Sequence, residues 1–310
     1  MAMLYMSHWS GGEHWRDLMA REIPDIDFRL DPEIGDPAEI DAILIWKYKL
    51  DALKSLPNLK LICSLGAGVD HLLGERHLLP EGVPICRLVD PSMNVQMAEW
   101  CLMAILNHQR HWEGYRKLQA ERRYEEIAAR PPEGITVGIM GLGVLGGHLA
   151  RVCATLGYNV RAWSRSPKQA EGVTCFHGMD QLRDFLSACD FVVCLMPLTA
   201  QTAGIINAQT LSWMKPGAYI VNGARGQHIV DADLIAALDS GHIAGAAVDV
   251  QHVEPMPEDH PFWFHPKIAS FPHIAAVTIA ESVVPQIAEN YRRMKDGRPL
   301  VNQVDLDRGY

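Results

Sequence analysis

The feature that most restricts the fold of this chain is a glycine-rich turn in a particular setting. Gly141-Leu142-Gly143-Val144-Leu145-Gly146 follows the apolar run Ile135-Thr136-Val137-Gly138-Ile139-Met140. It opens into Gly147-His148-Leu149-Ala150-Arg151-Val152-Cys153-Ala154, a helix-like stretch. A bare G-x-G-x-x-G matches many loops by chance, but strand, turn and helix in this order are what a dinucleotide fold requires. Gly141 permits the tight turn, Gly143 lets the backbone approach a pyrophosphate, and Gly146 lets the helix pack closely on the strand. The helix N-terminus then offers N–H groups and a positive dipole end to the phosphates. The plainer alternative is a glycine-rich strand-to-helix turn that holds no ligand.

The next strand, Asn159-Val160-Arg161-Ala162-Trp163, would end in an acid if the cofactor were NAD, because a carboxylate accepts from both ribose hydroxyls and repels a 2′-phosphate. The chain reads Ser164-Arg165-Ser166-Pro167-Lys168 instead. Arg165 can make charge-assisted bonds to a 2′-phosphate, so NADP(H) is the expected cofactor and NAD(H) the alternative. A solvated basic loop would look the same, since Arg and Lys are ordinary surface residues.

Arg225, Glu254 and His273 lie downstream of the turn. A planar guanidinium suits the two adjacent oxygens of a carboxylate, and Glu254 can keep His273 protonated as an acid. With a nicotinamide, that is equipment for reducing a 2-keto acid. Singly, each has a blander reading: a surface cation, a solvated Glu-Pro turn, a structural histidine. Their weight comes from three complementary roles filled at once. His108 and His111, read as sharing one helical face, have no convincing metal-ligand partners, and no metal is expected.

Around this core, short apolar runs alternate with helical stretches, which argues for parallel sheets covered by helices. Before the turn these runs are 41–46, 59–65 and 83–88; after it they are 191–195, 218–221 and 243–250. A long helix is expected over 94–120, then a breaker cluster at 130–134. A last helix at 280–295 could return to the first unit. The expected fold is α/β, with two Rossmann-like doubly wound parallel-sheet domains and an interdomain active-site cleft. Residues 1–96 and 283–310 would form a discontinuous substrate-binding domain, and 97–282 the dinucleotide-binding domain with its connecting helix. A chain of 310 residues has room for both. Its formal charge of −9 disfavours nucleic acid and acidic membrane surfaces, so an anionic substrate must be drawn by local cations. The seven scattered cysteines include no C-x-x-C pair and suggest neither a disulfide framework nor structural zinc. A reduced cytoplasm fits best. The start, 1–7, reads as a strand instead of a signal peptide, and no membrane span is expected.

Leu65-Gly66-Ala67-Gly68-Val69-Asp70, the glycine turn, Met196-Pro197-Leu198-Thr199 with Thr202, Asn222-Gly223-Ala224-Arg225-Gly226, Asp249-Val250 with Glu254-Pro255, and Pro272-His273-Ile274-Ala275 occur in one order. Over nearly the whole chain this resembles the D-isomer-specific 2-hydroxyacid dehydrogenases. Trp46, Trp163-Ser164-Arg165 and the tail 304–310 point to the bacterial glyoxylate/hydroxypyruvate reductase branch. The resemblance implies that Arg225 pairs with the substrate carboxylate and polarises its keto oxygen. His273 then donates the proton, supported by Glu254. It implies that backbone N–H groups of Ala67, Gly68 and Val69 also hold the carboxylate, that Trp46 forms an apolar wall, and that Asp249 orients the nicotinamide amide. Cofactor contacts are expected from Gly141, Gly143, Val144, Leu145, Gly146, Ser164, Arg165, Ser166, Met196, Pro197, Thr202, Ala224, Asp249, His273 and Ala275.

The implied activity is NADPH-preferring reduction of glyoxylate and hydroxypyruvate to glycolate and D-glycerate, by a homodimer joined through the cofactor domains and connecting helix. Two departures bear on pocket shape: Phe271 stands where the family usually has threonine before Pro-His, and Gly223 replaces a bulkier residue. They leave open a reductase of larger 2-keto acids, such as phenylpyruvate or a branched-chain acid. A non-catalytic dinucleotide-sensing binding protein is the alternative of a different class, since members of the superfamily serve as corepressors.

Overall fold

The computed structural model describes residues 1–7, 11–306 and 308. Its first sheet contains β1 (Ala2–Ser7), β2 (Asp27–Leu30), β3 (Ile40–Trp46), β4 (Leu61–Ser64) and β5 (Ile85–Cys86), in the order β2-β1-β3-β4-β5. The second contains β6 (Thr136–Met140), β7 (Asn159–Ser164), β8 (Val173–His177), β9 (Phe191–Cys194), β10 (Ala218–Asn222), β11 (Ile243–Val248) and β12 (Ile268–Ser270), in the order β12-β11-β10-β9-β6-β7-β8. Every neighbouring pair of these strands runs parallel. Central strands such as β3 and β9 are buried on both faces, so they need apolar side chains at successive positions instead of alternate ones.

Both sheets are doubly wound. In the second, the chain leaves β6 toward β7 and β8, then crosses back to β9 and continues through β10 to β12. This is the dinucleotide-binding strand order with one strand added, and such sheets bind ligands beyond the C-terminal strand ends where the winding reverses. The first sheet has the related flavodoxin-like order, reversing between β1 and β3.

The chain divides into two compact units, Met1–Ser92 with Thr278–Tyr310, and Met93–Val277. The helix Ala280–Lys295 belongs to the first: Val283, Val284, Ile287 and Ala288 are buried with Met3, Leu44 and Leu61.

The expected helix over 94–120 is two helices, Pro91–Gln109 and Trp112–Ala120. His111 sits between them in the left-handed region at φ 55°, so it shares no helical face with His108. His108 instead stacks on Tyr219 at 4.4 Å and meets Phe191 edge-on, a packing role. The run 83–88 contributes only the two residues of β5, and β11 ends at Val248. Strands β2, β8 and β12 were not expected. Asp307, Gly309 and Tyr310 of the diagnostic tail lie outside the described residues. Among the described residues, no helix is long and apolar enough to cross a membrane. The seven cysteines are free thiols, all buried except the partly exposed Cys175.

Candidate active site

The glycine turn hangs between two strand ends. The Gly141 N–H donates to the Trp163 carbonyl of β7 at 2.8 Å, and the Leu195 N–H, just past β9, donates to the Met140 carbonyl at 2.8 Å. Gly141 has φ 105°, a left-handed conformation in which a side chain would be strained. A Cβ on Gly146 would lie 1.9 Å from the Gly141 carbonyl oxygen. Gly143 differs: among the described residues, nothing beyond its own chain neighbours comes within 4 Å of where its Cβ would be, so the space beside it is open to a ligand. Gly143 is also the N-cap of the helix Val144–Thr155 and has no side chain with which to cap it. A tight turn, open space and uncapped N–H groups fit a dinucleotide pyrophosphate. Gly146→Ala is expected to destabilise the protein by about 1–3 kcal/mol, the usual cost of overpacking, and to weaken NADPH binding. Urea unfolding and a binding titration check this; wild-type values in both would show slack that the 1.9 Å approach denies.

Beyond β7, the buried Ser164 donates its hydroxyl to the Ser166 carbonyl at 2.8 Å, and Trp163 Nε1 donates to the Gly178 carbonyl at 2.8 Å. The loop is thereby shaped with Arg165 and Ser166 on the surface. Lys168 Nζ donates to the Leu142 carbonyl at 2.6 Å and ties this loop to the glycine turn. Beyond β9, the Thr202 hydroxyl donates to the Pro197 carbonyl at 2.8 Å and accepts from the Thr199 N–H at 2.9 Å, while Met196 is buried beneath.

Arg225 follows β10 through a turn organised by Asn222. This wholly buried amide accepts from the Ala224 N–H at 3.1 Å and donates to the Arg225 carbonyl at 2.9 Å. The guanidinium donates from Nη1 to the Ala224 carbonyl at 2.7 Å. Gly226 packs so closely on the segment after β11 that a Cβ there would lie 2.1 Å from the Gln251 carbonyl carbon. From that segment, the Gln251 N–H donates to Glu254 Oε1 at 3.2 Å. Glu254 Oε2 accepts from His273 Nδ1 at 2.8 Å. With Nδ1 committed to the carboxylate, Nε2 is the ring nitrogen that can hand on a proton.

His273 is held from behind. It adopts φ 57°, its N–H donates to the Asp249 carbonyl at 2.8 Å, and the two oxygens of Asp249 accept the Ile274 and Ala275 N–H groups at 2.8 Å each. Burial pushes the Asp249 carboxyl above the ordinary aspartate value, against those two N–H bonds and the nearby His273, which pull it down. Asp249 therefore staples the turn that presents His273.

The two departures from the family pattern are both filled. A Cβ at Gly223 would lie 2.8 Å from the sulfur of Met97, so a methionine from the helix Pro91–Gln109 occupies the space. Phe271 packs edge-on against Trp100 of the same helix at 5.5 Å, and its carbonyl accepts from Gln251 Nε2 at 3.1 Å.

In the first unit, Trp46 ends β3 and presses against Gly66, where a Cβ would lie 2.1 Å from the indole. His71 meets that indole edge-on at 4.6 Å. Ser64 shapes the following turn, accepting from the Gly66 N–H at 3.3 Å and donating to the Gly68 carbonyl at 3.4 Å. Ala67 and Gly68 are half-buried and Val69 is buried.

Sequence reasoning gave no role to Asn222, Gln251 or Met97. An asparagine at a strand end, three residues before an arginine, was a usable signal for the first. The other two act through proximity in space.

A dinucleotide turn at the winding reversal, with a carboxylate-paired imidazole beyond neighbouring strand ends, defines the class: an NAD(P)-binding oxidoreductase. The NAD binding domain of the D-isomer specific 2-hydroxyacid dehydrogenases matches residues 102–275, and the chain belongs to that family. Over 314 residues, covering both proteins fully, it is 38% identical to glyoxylate/hydroxypyruvate reductase A of Photorhabdus laumondii subsp. laumondii. It is 41% identical over 280 residues to the protein of that name from Yersinia enterocolitica, covering 89% of this chain and 90% of that one. A D-isomer specific 2-hydroxyacid dehydrogenase from Xanthobacter autotrophicus Py2, solved with NADPH and MES, superposes with a TM-score of 0.95 at 41% identity, covering 100% of this chain and 99% of that one. The NADPH-dependent glyoxylate/hydroxypyruvate reductase of Sinorhizobium meliloti, solved with NADP and sulfate, gives 0.93 at 33% identity with the same coverage.

Proposed function

We propose that the protein reduces glyoxylate and hydroxypyruvate to glycolate and D-glycerate with a preference for NADPH. The observation that carries the reading is the 2.8 Å bond from His273 to Glu254 beyond the second sheet. The names of relatives at 38% and 41% identity support the substrates.

When bound, NADPH supplies the hydride that adds to the keto carbon. The chain supplies the rest. Gly141, Gly143, Val144, Leu145 and Gly146 hold the pyrophosphate on backbone N–H groups. Ser164, Arg165 and Ser166 take the 2′-phosphate, and Met196, Pro197, Thr202, Ala224 and Ala275 line the remainder. Asp249 accepts from the carboxamide with the lone pairs its backbone donors leave. Arg225 holds the substrate carboxylate and draws electron density onto the keto oxygen, and His273 Nε2 delivers the proton to that oxygen. The balance is one keto acid, one NADPH and one proton to one hydroxy acid and NADP⁺. Trp46 and the N–H groups of Ala67, Gly68 and Val69 are assigned to the substrate, as apolar wall and carboxylate donors. The working form is proposed to be a cytoplasmic homodimer.

Two experiments test this reading. Hydroxypyruvate reduction should yield glycerate of D configuration on a chiral column; L-glycerate or a racemate would overturn the assigned geometry. Arg165→Ala should weaken NADPH binding by about 1.5–3 kcal/mol, the size of a charged hydrogen bond, and leave NADH nearly unchanged because it has no phosphate there. Dissociation constants for both cofactors decide it, since a folding defect would weaken both alike. Equal losses, or a wild-type preference for NADH, would sink the cofactor assignment.

A further inference from the structure

His228 closes the short turn Gly226–His228 just past Arg225, and it is wholly buried at 0% exposure. Its Nδ1 faces the Arg225 carbonyl oxygen at 3.1 Å, and its Nε2 faces the Pro197 carbonyl oxygen at 3.3 Å. A carbonyl oxygen only accepts, so each contact is attractive only when the facing nitrogen carries a proton. A neutral imidazole has one such proton, and either tautomer would aim a lone pair at a carbonyl. The ring that satisfies both is doubly protonated.

The surroundings support that state. Cys194, at the end of β9, is a titratable group against the ring, and Arg225 is a charged residue on its own turn. Burial opposes charge on the imidazole, but the Cys194 sulfur and the two carbonyls outweigh it and raise its proton affinity above the ordinary histidine value. The two carbonyls are unequal. Pro197 also accepts the Thr202 hydroxyl at 2.8 Å, a shorter bond than its contact with the ring. Arg225 also accepts from Asn222 at 2.9 Å, and the ring contact there is the shorter of the two that His228 makes.

We propose that His228 is a positioning residue: donating from both ring nitrogens, it fastens the backbone of Arg225 to the loop beyond β9 and so fixes where the guanidinium meets the substrate carboxylate. This rests on the reading of Arg225 as the substrate clamp. His228 acts through Arg225, so its loss should be felt in substrate binding more than in cofactor binding, because Thr202 still holds the Pro197 loop.

The test combines spectra with kinetics on the full chain. Nitrogen-15 ring spectra, with His228 assigned by comparison with His228→Gln, should show both ring nitrogens protonated at neutral pH. His228→Leu should raise the KM for glyoxylate about tenfold or more, the effect of one charged hydrogen bond, with the NADPH dissociation constant changed by no more than about threefold. His228→Gln, which keeps a donor, should recover part of the loss. In an Arg225→Ala background, His228→Leu should cost little more, because the residue it positions is gone. A singly protonated ring, an unchanged KM in His228→Leu, or the same loss with and without Arg225 would overturn the proposal. Should His228→Leu fail to fold, the ring spectra and the Gln variant decide. If Arg225→Ala leaves the glyoxylate KM unchanged, the clamp reading fails and this inference falls with it; a damaging Arg225→Ala beside inert His228 variants overturns the positioning role alone.

Discussion

His273→Ala is expected to lower the turnover number for 2-keto acid reduction by roughly 10²- to 10⁴-fold, the usual contribution of a positioned acid, and to leave NADPH affinity nearly intact. Without the imidazole, the keto oxygen must take its proton from water while hydride arrives at carbon, and the alkoxide that builds up has no local partner. The 2.8 Å bond to Glu254 adds a second expectation. Glu254→Gln keeps the shape but replaces the carboxylate that accepts from Nδ1 with a neutral amide, so its turnover should fall below that of wild type. Steady-state rates across pH, with NADPH titrations on the same preparations, check both. Near-normal turnover of His273→Ala at every pH would remove the residue from the acid role.

Arg225→Ala is expected to cut kcat/KM for glyoxylate by roughly 10²- to 10³-fold, comparable to losing one donor to a developing oxyanion. Both kinetic constants should suffer, because the proposed role has one guanidinium holding the carboxylate in the ground state and stabilising charge on the keto oxygen in the transition state. Arg225→Lys should recover little, since an ammonium lacks the planar fork that spans two oxygens. The Asn222 amide and the close approach of Gly226 to Gln251 hold the turn without the guanidinium, so the variant should fold. Initial-rate kinetics beside a thermal melt separate the effects. Unchanged efficiency with glyoxylate would rule out the contact.

What the sequence made legible was the middle of each sheet. β3, β4, β6, β9 and β10 are buried on both faces, and their near-continuous apolar runs stand out without any alignment. β2, β8 and β12 were missed and β5 was overextended, and all four are sheet edges. An edge strand has one covered flank, tolerates Asp27, Arg29 or Thr174, and therefore carries no unbroken apolar signal. The helix over 94–120 was overextended because nothing in its local pattern announces a left-handed residue at His111.

The candidate site divides the same way. Glycines, arginine, glutamate and histidine stood out as candidates because their chemistry is specific and they occur in a fixed order along the chain, and folding brings Glu254 and His273 together. The fittings that hold them were not. Asp249 stapling the His273 turn, Met97 filling the place of a side chain at Gly223, and His228 between two carbonyls each depend on segments brought together only by folding.

The most direct measurement is NADPH consumption, followed by absorbance, with glyoxylate, hydroxypyruvate, phenylpyruvate and a branched-chain 2-keto acid offered in parallel, each repeated with NADH. Rapid oxidation of NADPH by glyoxylate and hydroxypyruvate, slower oxidation by the larger acids, and weaker activity with NADH is the predicted result. Tight NADPH binding with no consumption for any 2-keto acid would contradict it and leave a dinucleotide-sensing protein in place of a reductase.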